Sequence, residues 1–81
     1  MRTQISDHSQ NVLEIQTFLR KMAQANMDIR FINPDGIFGT ETTEAVKDGQ
    51  RALALAVTGV VDAATWQAFR EMYLKLQSED T

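Results

Sequence analysis

The sequence predicts an all-α fold, a three-helix bundle carrying two repeated turn–helix units, and three observations predict it. Apolar residues recur at helical spacing in three stretches. Turn formers separate those stretches at Asn33-Pro34-Asp35-Gly36 and Thr58-Gly59. The turn-and-cap pattern at the second of these repeats the pattern at the first.

The first helix is expected over residues 9–26, with Asp7 or Ser9 as its cap. Val12, Ile15, Leu19 and Met22 form its stripe, widened by Leu13, Phe18 and Ala23. Residues 28–32 alternate polar and apolar, which predicts a short extended link. Pro34 then turns Asn33 away from helix. A second helix is predicted over 40–55, facing inward through Thr42, Ala45, Val46, Gly49 and Leu53. Asp62 caps a third over 62–76, with Trp66, Phe69, Tyr73 and Leu76 on one face. Residues 1–8 read as a flexible lead-in, 9–77 as one domain and 78–81 as a disordered tail.

The repeat aligns residues 35–42, Asp-Gly-Ile-Phe-Gly-Thr-Glu-Thr, with residues 58–65, Thr-Gly-Val-Val-Asp-Ala-Ala-Thr. Ala45-Val46 then aligns with Ala68-Phe69. Gly36 and Gly59 supply turn geometry that a side chain resists. Phe38 and Val61 are placed to drop into the core like a hydrophobic staple. Thr42 and Thr65 can satisfy polar backbone near each helix start. The two units are expected to pack together with the first helix laid across them.

Composition narrows the function classes. Eighty-one residues make one small domain, and the absence of cysteine excludes disulfides and thiolate metal sites. The net charge is −3 and the eight basic residues are scattered, which argues against nucleic acid as a partner. No apolar run approaches the roughly 18 residues of a membrane span, so no membrane partner is expected. The polar start, Met1 to Gln10, lacks a secretory pattern. That reading leaves two expectations, an exported chain if this is part of a longer protein and a cytoplasmic one if it is whole.

Catalytic chemistry finds no constellation. His8 is the single histidine, and no metalloprotease, phosphate-loop or dinucleotide motif occurs. Residues 33–39 hold one carboxylate, too few for a calcium loop. Asp35 and Asp62 are better explained as turn and cap residues than as an acid–base pair. The expectation is a non-enzyme with no metal and no cofactor. Trp66 and Phe38 are read as core rather than as sugar-stacking rings. Ile37 and Val60 follow their turn glycines and should point outward as contacts. Gln16, Arg20 and Gln50 are the polar groups nearest any groove, with a solvated face or a helix-packing hydrogen bond as the plain alternative. With the turn residues Asp35 and Gly36, the predicted ligand-binding set is Gln16, Arg20, Asp35, Gly36, Ile37, Gln50 and Val60.

Over about residues 11–73 these motifs resemble the peptidoglycan-binding-like domain family. The resemblance is carried by Ile15-Gln16, by Asp35-Gly36-Ile37-Phe38-Gly39 with Thr42, Ala45 and Val46, and by Thr58-Gly59-Val60-Val61-Asp62 with Thr65 and Trp66. It implies a cell-wall-binding module with peptidoglycan or its fragments as partner, in a chain often joined to a cell-wall hydrolase. Two positions depart from the pattern. Gly49 stands where the family has phenylalanine, and the link before Asp35 is longer than usual. Close helix approach at Gly49 is expected, with Met22 or Met27 replacing the missing ring; the alternative is that the position faces a partner. The alternative reading is a protein–protein interaction adaptor that keeps the fold without glycan binding.

Overall fold

A computed structural model describes residues 9–79, and among them every regular element is helical. Helix α1 spans Ser9–Gln24, α2 spans Thr40–Ala52 and α3 spans Ala63–Glu79. The lead-in 1–8, the possible cap Asp7, and Asp80 and Thr81 lie outside the described residues.

The apolar stripes foresaw the helices but overran two of their ends. Helix α1 stops at Gln24 rather than residue 26 because Asn26 turns to φ 63°. Its N–H then donates to Ala23 O at 3.1 Å, and that of Met27 to Met22 O at 3.3 Å. This Schellman pattern satisfies carbonyls that a further turn would have used. Helix α2 stops at Ala52 in the same way, with Ala54 at φ 60°. Ala54 N–H donates to Arg51 O at 3.2 Å and Leu55 N–H to Gln50 O at 2.8 Å. Leu53 and Leu55 remain half-buried against the core, so the stripe persists after the backbone has turned away. Helix α3 begins one residue later than expected, because Asp62 stands outside it as the cap. Asp62 Oδ1 accepts from Thr65 N–H at 2.9 Å. The helix continues to Glu79, so Ser78 and Glu79 are helical where a disordered tail was expected.

Helix α1 lies against both later helices, more extensively against α3. It gives the core Val12, Ile15, Phe18, Leu19 and Met22, and its Gln16 is buried among them. Helix α2 adds Ala45 and Val46, α3 adds Phe69, and the turn before α3 adds Val61. Phe18 stacks obliquely on Trp66 and Tyr73, with centroids 5.2 and 5.0 Å away. Phe38 is half-buried against the core, while its counterpart Val61 is fully buried.

Gly49 of α2 receives the Phe69 ring of α3. A Cβ built on it would lie 2.7 Å from Phe69 Cζ and 3.1 Å from Leu19 Cδ2. The place expected to bring two helices close is filled instead by a side chain, the Phe69 ring from α3, and neither Met22 nor Met27 supplies it. The link between α1 and α2 is held by buried Ile29 and Ile32 and by an ion pair that the sequence reading did not foresee. Arg30 Nε donates to Asp48 Oδ2 at 2.7 Å, and Arg51 Nη1 to Asp48 Oδ1 at 3.3 Å.

Candidate functional site

Two buried glutamines build the two turns. Gln16 projects from α1 beneath the first turn, where its Oε1 accepts from the N–H groups of Asp35 and Gly36, both at 2.9 Å. Its Nε2 faces Thr42 Oγ1 at 2.9 Å, Ile37 O at 3.0 Å and Asp35 Oδ1 at 3.1 Å. Gln50 of α2 does the same for the second turn. Its Oε1 accepts from Thr58 and Gly59 N–H, both at 2.9 Å. Its Nε2 faces Thr65 Oγ1 and Val60 O at 3.1 Å and Thr58 Oγ1 at 3.2 Å. A primary amide suits this place because it accepts and donates at once, so both the N–H and C=O groups of a tight turn find a partner.

Each turn is closed from within by its first side chain. Asp35 Oδ1 accepts from Ile37 N–H at 2.9 Å, and Thr58 Oγ1 accepts from Val60 N–H at 3.1 Å. Gly36 and Gly59 sit at φ 79° and 78°, the left-handed region that favours glycine. Hydrogen bonds from Ile37 N–H and Gln16 hold the Asp35 carboxyl below its ordinary range. The Thr65 N–H does the same for Asp62. Both groups are kept charged, the reverse of what a general acid requires.

The predicted ligand set thus divides. Gln16 and Gln50 are each 1% exposed and face inward, where they shape the turns. Gly36 supplies the turn geometry. Ile37 and Val60 stand outward, 68% and 45% exposed. Asp35 is exposed at the rim of a groove of about 200 Å³ that Gln16, Asn33, Ile37, Glu41 and Thr42 also line. Arg20 reaches the same rim from α1, its Nη1 donating to Asn33 Oδ1 at 3.1 Å. Val60 and Gln50 belong to the second turn, which rests on Thr43 and Lys47 of α2. Among the described residues, no three His, Cys, Asp or Glu side chains gather as a metal site. No described helix is long and apolar enough to cross a membrane.

The sequence model of the peptidoglycan binding domain family matches residues 8–69, most of the chain. The chain belongs to this family. No curated protein and no solved structure matches it. As a peptidoglycan binding domain, the chain places the motif residues Gln16, Gly36, Thr42, Gly59 and Thr65 in the machinery that fixes the turns. The side chains left facing solvent lie between and beyond them. Phe31 is one that sequence reading missed. The alternation of residues 28–32 put it on the side of Ile29, yet Ile29 and Ile32 are buried and Phe31 is 64% exposed.

Proposed function

We propose that the chain is a non-catalytic module that binds peptidoglycan through the outer face of its first turn. By doing so it holds an attached or partner protein, such as a cell-wall hydrolase, at the bacterial cell wall. One observation carries this reading. Residues 35–37 are fixed from beneath by a buried amide, and the same turn presents Ile37 at 68% exposure beside a polar groove. A contact surface whose backbone is already ordered loses little entropy on binding. Weak affinity in one module suffices, because tethering raises the effective concentration of whatever is joined to it.

The adaptor reading drew on the acidic surface, the polar start and the phenylalanine missing at Gly49 as a place that could face a partner. Phe69 occupies that place, so Gly49 no longer supports it. Co-sedimentation with purified peptidoglycan tests the proposal. The wild-type chain is expected in the pellet, and Ile37→Glu should lower the bound fraction about tenfold, the loss of one buried aliphatic contact. The melting temperature should not change, since Ile37 touches solvent. A wild-type chain that stays in the supernatant at every concentration would sink the reading.

A further inference from the structure

We propose that Phe31 and Arg20 form a sugar-stacking subsite for the glycan strand, continuous with the first-turn groove; the inference rests on the peptidoglycan reading above. Phe31 is 64% exposed although Ile29 and Ile32, its neighbours in the link, are 7% and 5% exposed. The backbone is therefore anchored on both sides of a ring that the fold itself does not bury. The Arg20 guanidinium lies 5.7 Å from the ring centroid, within cation–π range. Arg20 is itself held, with Nη1 donating to Asn33 Oδ1 at 3.1 Å and approaching Ile32 O at 3.4 Å. Asn33 lines the groove of the first turn, so the ring and the groove share one rim.

The chemistry of this rim selects a class of ligand. A pyranose offers an apolar C–H face edged by hydroxyl and acetamido groups. An aromatic ring takes the apolar face, and a guanidinium, an amide and a carboxylate beside it take the polar edge. Arg20, Asn33 and Asp35 supply those three groups. An apolar helix or strand from a protein partner would want a stripe of neighbouring apolar side chains. Phe31 has Arg20 against it, and the adjoining groove sets Asn33, Asp35 and Glu41 beside a single exposed aliphatic, Ile37, so the N-acetylated sugar of the wall is the occupant favoured over a peptide or protein.

The test compares Phe31→Ala, Phe31→Leu and Phe31→Tyr with wild type in peptidoglycan co-sedimentation, with soluble N-acetylglucosamine oligomers as competitor. The Ala and Leu variants should bind about threefold to tenfold more weakly, the range of a lost aromatic contact, while Tyr retains binding. The oligomers should displace wild type. All three variants should melt as wild type does, because the ring is outside the core. Wild-type sedimentation matched by Phe31→Leu would overturn stacking and leave peptidoglycan binding standing. Failure of the oligomers to compete would overturn the sugar as occupant and point to peptide. Failure of wild type to sediment would remove the underlying function as well.

Discussion

At the scale of single residues, Gly49 shows how one missing side chain makes room for a ring from another helix. A glycine inside a helix costs about 1 kcal/mol in propensity against alanine, so an alanine would be favoured if space allowed. Space does not allow it. The added methyl would meet Phe69 Cζ at 2.7 Å, and Phe69 is fully buried. Its ring cannot withdraw without disturbing Leu19, which also stands within 3.1 Å of the same point. Overpacking of this kind costs about 1–3 kcal/mol and outweighs the propensity gain. Gly49→Ala is therefore expected to destabilise the chain by about 1 kcal/mol, read as a lower denaturation midpoint. Phe69→Leu added to it should recover part of the loss by removing the clashing atoms. A rise in midpoint for Gly49→Ala alone would mean that α2 and α3 are not in contact there. The sequence exposed the anomaly at Gly49, since its stripe calls for bulk. It could not say which ring filled the gap, because Phe69 lies on another helix.

At the scale of elements, helix starts were more legible than helix ends. Starts carry chemical signals: Asp62 caps α3 as read, and Thr65 lies three residues on. Ends are set by backbone turning that the apolar period does not register, hence the overrun at Asn26 and Ala54. Asparagine tolerates the left-handed region, but the alanine Cβ crowds the following carbonyl oxygen there, a strain of about 1 kcal/mol. Ala54→Gly should therefore stabilise the chain by about 0.5–1 kcal/mol, measured by urea titration. A loss of stability would show that Ala54 is not in the left-handed region. The two glutamines were legible as groove or packing residues, but the turns that their hydrogen bonds hold were not. Gln16 reaches Asp35 across 19 residues and Gln50 reaches Thr58 across 8, so no constant repeat offset pairs them. The extra length is the link carrying Phe31 and Arg30. Its placement depends on the Arg30–Asp48 ion pair and on burial of Ile29 and Ile32, which no local pattern announces.

At the scale of the whole molecule, each connection between helices is tied down by a carboxylate. Asp35 closes the first turn on Ile37 N–H, Asp62 caps the helix after the second, and Asp48 anchors the link through Arg30. All three carboxyls sit below their ordinary range. For Asp48 the cause is first the Arg30 hydrogen bond, for Asp35 the Ile37 N–H and for Asp62 the Thr65 N–H. A carboxyl depressed in the folded state binds protons more weakly there than in the unfolded chain. Its contribution is therefore fully present above the unfolded value of about 3.9 and is lost as pH falls through the lower folded values. The urea midpoint should stay level between about pH 7 and 5 with respect to these groups and fall steeply below about pH 4. Asp48→Asn should lower the midpoint at pH 7, because Arg30 loses its charged partner, and should make the acid decline shallower. An acid decline as steep in Asp48→Asn as in wild type would show that the link is not held by the Arg30–Asp48 pair.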